Sequence, residues 1–179
     1  MDIKLFRSIE RPSQNIVEWQ MFLEWVDSYF KSRGITQPIV VELGVWYNRQ
    51  KKFYEQLLGA EYIGIDNCKS RVMPDILGDT HDEKTVQELK NRLNGRPLNL
   101  LFIDAGHNYQ DIKQDYETYG PLTKNIIALH DIFLEREGVR LFWDEICRNK
   151  EYITETILAP PKFHPEKLFV GIGLIIKEW

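Results

Sequence analysis

The stretch "LLFIDAGHNYQ", residues 100–110, joins an apolar run to polar residues, and "IIALHDIF", residues 126–133, repeats that pattern. The first run stops at Asp104, and the second stops at His130 and Asp131. Continuous apolar runs of this length are typical of strands that are buried on both faces of a parallel sheet. Because the carboxyl ends of parallel strands lie along one edge, the pattern predicts that these polar residues meet there.

Other apolar runs divide the chain in the same way. Strand-like runs occur at 38–44 ("PIVVELG"), at 61–66 ("EYIGID") and, more weakly, at 75–79 ("DILGD"). Amphipathic patterns separate the strands, as in "HDEKTVQELKNRLNG" at 81–95 and "NYQDIKQDYETYGP" at 108–121, where apolar residues recur at helical spacing. Strands that alternate with helices predict an α/β fold with a mostly parallel sheet and helices on both faces.

The last part of the sequence departs from this alternation. The segments "YITETIL" at 152–158 and "LFVGIGLIIKEW" at 168–179 have the composition of strands, but no helical pattern lies between them. A short connection allows antiparallel pairing, whereas parallel pairing needs a crossover. We therefore expect an antiparallel pair at one edge of the sheet, with "APPKFHPEK" at 159–167 as its turn.

Residues 1–35 form a predicted helical segment ahead of the first strand. Within "QNIVEWQMFLEWVDSYFKSR" at 14–33, the apolar side chains recur on one helical face. Ser13 is the predicted N-cap of this helix, and Gly34 is its predicted C-terminal stop.

Length and composition indicate one soluble globular domain spanning residues 1–179. The chain is 43% hydrophobic and 28% charged, which is ordinary for such a domain. A net charge of -4 argues against a basic surface for nucleic acid. Because no apolar run has the length of a signal peptide or a membrane span, we expect a cytoplasmic protein without a membrane partner. Cys68 and Cys147 fit no metal or redox spacing.

Acidic residues mark the ends of four predicted strands, at Glu42, Asp66, Asp104 and Asp131. Gly44 follows the first of them in a turn, and Asp66 follows Gly44 by 22 residues. Ribose-binding acids of nucleotide folds stand at about 20 residues from such a glycine loop. A single glycine after a strand is also typical of a plain turn, and both interpretations stay open. The absence of further glycines argues against a pyrophosphate-containing cofactor.

Two histidines accompany these acids. His107 lies three residues after Asp104, where a neutral imidazole could act as a general base. Asp104, His130 and Asp131 could together hold a divalent cation. The structural alternatives are that His107 caps the helix that begins near Asn108 and that His130 is a core residue. Trp46 and Tyr47, in the loop beside Gly44, could stack on a ligand or serve as ordinary loop aromatics. The acids and histidines at adjacent strand ends together predict a functional site at the rim.

The segment "LNLLFIDAGHNYQDIKQDYETYGPLTKNIIALHDI", residues 98–132, resembles the Asp-Gly-x-His-x-Tyr block of class I S-adenosylmethionine-dependent methyltransferases. The similar branch holds macrolide-sugar O-methyltransferases and cephalosporin-hydroxylase-like proteins. "GDTHDEKTVQEL" at 78–89, "GVRLFWDEI" at 138–146 and "GIGLII" at 171–176 resemble further blocks of this family in the same order. The resemblance covers residues 38–176, which would form the Rossmann-like core.

The resemblance implies a seven-stranded, mostly parallel sheet with one antiparallel edge strand. It also implies a role for each polar residue at the rim. Glu42 and Gly44 would hold the methionine end of S-adenosylmethionine, Asp66 would bind its ribose, and Asp79 with Thr80 would border its adenine. Magnesium or another divalent cation would be held by Asp104, His130 and Asp131, and His107 would be the base.

The sequence departs from the family pattern in three places, one of which is the absence of the usual Gly-Gly between Lys124 and Ile126. Asn48, Arg49 and Gln50 stand where the family has glycines, and His130 replaces an acid of the metal pair. Because asparagine tolerates a left-handed backbone, Asn48 is expected to keep the turn.

The leading hypothesis is an O-methyltransferase for a small hydroxylated molecule such as a sugar or glycoside. The alternative is a degenerate methyltransferase fold that binds a ligand or partner without catalysis. The net negative charge of the chain and the lack of an Asn/Asp-Pro-Pro-Tyr/Phe sequence block argue against a nucleic-acid methyltransferase. Formation of a homo-oligomer stays open.

Overall fold

The computed structural model describes residues 1–68, 73–134, 138–160 and 170–177. Seven strands form one sheet in the order β3-β2-β1-β4-β5-β7-β6. Their bounds are β1 Ile39–Leu43, β2 Glu61–Asp66, β3 Ile76–Leu77, β4 Leu98–Ile103, β5 Thr123–His130, β6 Ile153–Ile157 and β7 Ile172–Ile176.

Strands β1 to β5 pair in parallel, whereas β7 runs antiparallel to both of its neighbours, β5 and β6. The predicted fold class is therefore confirmed, including the antiparallel pairing of the last two strands. The antiparallel strand lies one position inside the edge, because β6 forms the edge itself. Residues 161–167 of the predicted turn between these strands lie outside the described residues.

Six helices surround the sheet within the described part of the chain. They are α1 Ile3–Ser8, α2 Ile16–Ser32, α3 Lys51–Leu58, α4 Glu83–Leu93, α5 Tyr109–Tyr119 and α6 Gly138–Arg148, and a 3₁₀ turn at Gly120–Leu122 follows α5. None of these helices combines the length and the apolar composition that crossing a membrane requires.

The hydrophobic core has two layers, one on each face of the sheet. Because side chains alternate along a strand, neighbouring residues of β1 enter different layers. Val41 and Leu43 join the side chains of α4, α5 and α6. Val40 faces the other way and joins α1, α2 and α3, where Trp19 contacts Phe53 edge to face at 6.1 Å between ring centroids. Helices on both faces leave the strand ends as the open part of the sheet.

The helix ends follow local capping chemistry. The structure corrects one prediction, because Asn15 rather than Ser13 caps α2: its Oδ1 accepts hydrogen bonds from the backbone N–H groups of Val17 and Glu18 at 3.0 and 3.3 Å. An asparagine side chain at this position satisfies N–H groups that the helix leaves free. Gly34 follows the helix with a left-handed backbone, at φ 66°, as expected.

Candidate active site

A cavity of about 610 Å³ opens at the carboxyl ends of the parallel strands. It lies where the strand order reverses, between β1 and β4, which is the usual ligand position in an open α/β sheet. Its volume falls in the range of small-molecule sites. The cavity brings together eight of the nine residues that the sequence singled out: Gly44, Asp66, Asp79, Thr80, Asp104, His107, His130 and Asp131.

The loop after β1 passes very close to the loop after β4. Gly44 has φ +81°, and a Cβ atom built on it would lie 2.2 Å from the backbone oxygen of Asp104. Only glycine fits this position without a shift of one loop. Two later residues of the same loop, Trp46 and Asn48, also have positive φ values of 45° and 53°. The expectation that Asn48 supports a left-handed turn is confirmed.

Trp46 stands at the mouth of the cavity with 67% of its surface exposed. Its ring stacks on Tyr47, with 5.4 Å between the ring centroids and an interplanar angle of 20°. A positive φ is uncommon for a bulky residue and marks local strain. The loop therefore presents a flat aromatic surface to anything that enters the cavity.

Asp66 ends β2 and its carboxylate holds the glycine loop in place. Oδ2 accepts hydrogen bonds from the backbone N–H groups of Val45 and Trp46, both at 2.9 Å. Oδ1 accepts a third from the N–H of Cys68 at 2.7 Å. A carboxylate offers about four lone-pair sites, so Asp66 keeps acceptor capacity for one further donor.

Glu42 is the one predicted residue that does not line the cavity. It is fully buried, and its Oε2 accepts a hydrogen bond from the Tyr62 hydroxyl at 2.5 Å. Burial raises the pKa of Glu42 to about 8, and the nearby negative charge of Asp104 adds to this increase, although the Tyr62 hydrogen bond opposes it. At neutral pH Glu42 is therefore mostly uncharged and lies within electrostatic reach of the cavity.

Asp104, His107, His130 and Asp131 form a compact group at the ends of β4 and β5. His130 Nδ1 lies 3.2 Å from Asp104 Oδ1 and 3.1 Å from Asp131 Oδ1. His107 Nε2 lies 3.6 Å from Asp104 Oδ1 and 3.6 Å from Asp131 Oδ2. Each histidine thus lies between the same two carboxylates, and the polar residues of the two stretches meet at the rim as predicted.

Charge pairing dominates this group. Burial disfavours the charged form of His130, but the Asp104 and Asp131 carboxylates outweigh it and hold the pKa of His130 well above its ordinary value. Burial likewise opposes ionisation of Asp104, but His130 and His107 hold the pKa of its carboxyl well below its usual range. Asp131 adopts a left-handed backbone with φ 62°. Opposite charges within about 4 Å favour both charged forms.

The loop that carries His107 is fixed from two sides. The backbone oxygen of His107 accepts a hydrogen bond at 2.7 Å from the N–H of Gly138, the first residue of α6. The next residue, Asn108, caps α5 as predicted, because its Oδ1 accepts from the Asp111 N–H at 3.0 Å. The side chain of His107 is 40% exposed. An anchored backbone and an accessible imidazole suit a residue that contacts a ligand.

The geometric requirement of a metal site is met by one atom each from Asp104, His107 and Asp131, all within 4.8 Å of one another. This set differs from the predicted one, which had His130 in place of His107. The Nε2 atom of His130 is buried without a hydrogen-bond partner among the described residues, and its Nδ1 faces both acids. His130 stays the predicted ligand, and the carboxylates of Asp104 and Asp131 are common to both sets.

The opposite wall of the cavity comes from residues 79–81. The Oδ1 of Asp79 accepts a hydrogen bond from the His81 N–H at 2.9 Å, and the Thr80 carbonyl accepts one from the Tyr119 hydroxyl at 2.7 Å. His81 Nε2 lies 3.3 Å from Oδ1 of the buried Asp115. Burial raises the pKa of Asp115 to about 6. These contacts fix the segment that the resemblance places beside adenine.

Sequence reasoning missed several residues of the lining. Gln14 and Gln50 enter the cavity from the segment before α2 and from the start of α3, and His81 and Asp111 complete the far wall. The sequence neighbourhoods of Gln14 and Gln50 carry no motif, because each looks like an ordinary polar residue next to a helix. Asp111 and His81 did give a signal, since each lies within a block that resembles the methyltransferases.

The electrostatic character of the cavity is acidic. Its described lining contains the five aspartates 66, 79, 104, 111 and 131 and the three histidines 81, 107 and 130, and it contains no lysine or arginine. Such a lining favours cationic or neutral polar ligands over phosphates. The site can therefore bind a cation, accept hydrogen bonds from hydroxyl groups and take up a proton on an imidazole.

No family model and no curated protein matches the sequence, but solved structures do. The MycE methyltransferase from the mycinamycin biosynthetic pathway, in complex with Mg, SAH and mycinamycin VI, matches with TM-score 0.57 and 13% identity over 87% of this chain and 49% of that chain. The present chain thus spans about half the length of the MycE chain.

Two further structures match over more of their own length. The O-methyltransferase from Bacillus cereus in complex with SAH has TM-score 0.55 and 11% identity, over 96% of this chain and 93% of that chain. CalS11, a calicheamicin methyltransferase, has TM-score 0.58 and 13% identity, over 97% and 88%. These likenesses establish a Rossmann-like fold shared with methyltransferases.

Proposed function

We propose that the protein is an S-adenosylmethionine-dependent O-methyltransferase that acts on a small hydroxylated molecule, such as a sugar or glycoside. The observation that carries the proposal is the acidic cavity at the strand-order reversal, whose described lining has five aspartates and no lysine or arginine. Structures with the same fold include methyltransferases in complex with SAH.

The cavity suits S-adenosylmethionine in charge and in the position of its acceptors. A sulfonium and an ammonium group are both cationic, and an acidic lining without lysine or arginine among the described residues stabilises them. Asp66, at the end of β2, retains acceptor capacity for a ribose hydroxyl after its three backbone hydrogen bonds. Gly44 would lie along the methionine end, and Asp79 with Thr80 would border the adenine.

The residues present also suit a divalent cation. Asp104 and Asp131 supply two carboxylates at adjacent strand ends, and His130 supplies an imidazole nitrogen next to both. A mixed oxygen and nitrogen set fits Mn²⁺ and related ions as well as Mg²⁺. In this structure the imidazole of His130, whose pKa is well above its ordinary value, faces both acids.

The proposed chemistry assigns His107 the role of general base. Bound S-adenosylmethionine would supply the electrophilic methyl group, and a bound divalent cation would lower the pKa of the acceptor hydroxyl. His107 Nε2 would take the proton from that hydroxyl, since its side chain is 40% exposed to the cavity. Asp104 and Asp131, each 3.6 Å from Nε2, would stabilise the imidazolium that results. Ala105 and Gly106 line the cavity beside His107 and leave room for an acceptor.

A second function, ligand binding without catalysis, is favoured by one specific observation. Three acceptor positions of the Asp66 carboxylate are taken by backbone N–H groups of Val45, Trp46 and Cys68. These three contacts account for the position of Asp66 as a structural anchor of the loop, without a bound ribose.

Calorimetric titration of the protein with S-adenosylmethionine and with S-adenosylhomocysteine tests the cofactor assignment. Transfer of a labelled methyl group to a panel of sugars, glycosides and vicinal diols, with Mg²⁺ and with EDTA, tests the reaction class. Absence of heat with both ligands at high concentration would overturn the proposal. Binding of either ligand without transfer to any acceptor would favour the second function.

A further inference from the structure

Both oxygens of the Asp104 carboxylate have defined partners. Oδ2 accepts a hydrogen bond from Gln14 Nε2 at 2.9 Å, whereas Oδ1 faces His130 Nδ1 at 3.2 Å and His107 Nε2 at 3.6 Å. Gln14 therefore occupies the oxygen that points away from the histidines. Only Oδ1 is left to face the group of imidazoles and the second carboxylate.

The amide of Gln14 is itself oriented by a second buried amide. Gln50 Nε2 donates a hydrogen bond to Gln14 Oε1, and the two side chains are 2% and 6% exposed. Because a carboxylate only accepts, Gln14 must turn its NH₂ group toward Asp104 and its oxygen toward Gln50. If the amide were reversed, Gln14 Oε1 would face Asp104 Oδ2, and two hydrogen-bond acceptors would be in contact.

The three residues come from distant parts of the chain. Gln14 precedes α2, Gln50 precedes α3 and Asp104 follows β4, so that 36 and 90 residues separate the bonded pairs. All three line the cavity. A buried polar chain of this kind fixes side-chain direction more strongly than exposed pairs do, because unsatisfied amides are costly in a dry environment.

We propose that Gln14 is a positioning residue that turns the Asp104 carboxylate so that Oδ1 alone faces the cavity, and that Gln50 fixes the direction of the Gln14 amide. Asp104 would then offer a cation a single oxygen. The metal-binding consequence rests on the proposed function, whereas the orientation of the carboxylate does not. Gln14 acts only through Asp104, as an outer partner acts through a ligand.

The test uses the substitution Gln14→Met, which nearly preserves volume and removes both hydrogen bonds. Gln87→Met is the matched control, because the exposed Gln87 loses a hydrogen bond to Asn91 on α4, away from the cavity. Mn²⁺ alone is titrated and followed by its electron paramagnetic resonance signal. Outer partners of metal ligands contribute roughly 10–100-fold to metal affinity, so Gln14→Met should bind Mn²⁺ weaker by that factor. Gln87→Met should match the wild type.

The melting temperature of each variant is recorded on the same preparation. A folded Gln14→Met protein with unchanged Mn²⁺ affinity and an unchanged spectrum would overturn the positioning role. If Gln14→Met does not fold, Gln50→Met decides, because it leaves Gln14 in place but frees its amide to rotate. Gln50→Met should also weaken Mn²⁺ binding, by a smaller factor, and unchanged affinity would overturn the role.

Failure of the metal assignment is distinguishable from failure of the positioning role. If the wild-type protein binds no Mn²⁺, the metal part of the proposed function fails. A crystal structure of Gln14→Met, or of Gln50→Met if Gln14→Met does not fold, then tests whether Gln14 orients the Asp104 carboxylate. A carboxylate of Asp104 that has turned away from the geometry of the wild type supports the positioning role. A carboxylate that still holds Oδ1 beside His130 overturns it.

Discussion

Replacement of Glu42 by glutamine should make the protein more stable at neutral and alkaline pH. Glu42 is fully buried, and burial raises the pKa of its carboxyl to about 8 from an ordinary value of 4.5. Its hydrogen bond from Tyr62 needs only an acceptor, which a glutamine amide also provides. Glu42→Gln therefore keeps the size and the acceptor of the side chain but removes its ability to ionise.

The direction in which the free energy of unfolding changes with pH follows from proton binding. Between about pH 4.5 and 8 the folded protein holds a proton on Glu42 that the unfolded chain has released. The free energy of unfolding therefore falls as pH rises through this window, and the full stability is present only below the unfolded pKa. Each unit of pKa difference corresponds to about 1.36 kcal/mol, so the advantage of Glu42→Gln should grow to at most roughly 5 kcal/mol above pH 8.

Urea denaturation at a series of pH values, from about pH 5 to pH 9, measures this difference. Glu61→Gln is the matched control, because the exposed Glu61 pairs with Arg96 at 2.6 Å and the pKa of its carboxyl is lowered by that hydrogen bond. The control should show a small loss of stability rather than a gain. His130, whose pKa is also raised, is present in wild type and variant alike, and its charge partly offsets the increase in the pKa of Glu42. Parallel curves for Glu42→Gln and wild type would refute the reasoning.

Three further substitutions have defined outcomes. Asp66→Ala should weaken binding of S-adenosylhomocysteine by roughly 1.5–3 kcal/mol through loss of a charge-assisted hydrogen bond, as measured by calorimetry; unchanged affinity would assign Asp66 to the loop alone. His107→Ala should slow methyl transfer by roughly 10²–10⁴-fold with cofactor affinity preserved. A normal rate with a lowered melting temperature would remove His107 from the mechanism. Gly44→Ala should destabilise the protein by more than about 1 kcal/mol in urea denaturation, because a Cβ would lie 2.2 Å from the Asp104 backbone oxygen and φ is +81°. Wild-type stability in that variant would show that the two loops can separate.

The sheet and most of the site could be predicted because their signals are local. Apolar runs that end in Asp104 and in His130 with Asp131 identify strands by composition and the rim by the change in polarity. Parallel pairing of β4 with β5 then brings these ends together. The proximity of Asp104, His130 and Asp131 therefore follows from the topology, whereas the pairing of each imidazole with both carboxylates does not.

Glu42 shows where such reasoning stops. It precedes the last residue of β1, whereas Asp104 and Asp131 follow the ends of their strands. A residue inside a central strand lies on one face of the sheet, and Glu42 therefore enters the layer that holds Tyr62 rather than the open rim. In the sheet register the rim acids Asp66 and Asp104 align with Gly44, two positions beyond Glu42.

Gln14 and Gln50 mark a second limit. Their contacts with each other and with Asp104 join segments that are 36 and 90 residues apart, and nothing in their immediate neighbours indicates either contact. Asn15 rather than Ser13 caps α2, which places Gln14 just outside the helix. Such long-range polar contacts depend on the packing of α2 and α3 against the sheet.

If the proposed function holds, the acidic lining also bears on the order of events in a catalytic cycle. Transfer of a methyl group converts a sulfonium cation into a neutral thioether, so one positive charge disappears from a cavity whose described lining has five aspartates and no lysine or arginine. The electrostatic attraction for the spent cofactor is then weaker than for the fresh one. Entry of the cofactor would be accelerated by long-range attraction and slowed by salt, whereas departure of the product would be nearly independent of ionic strength.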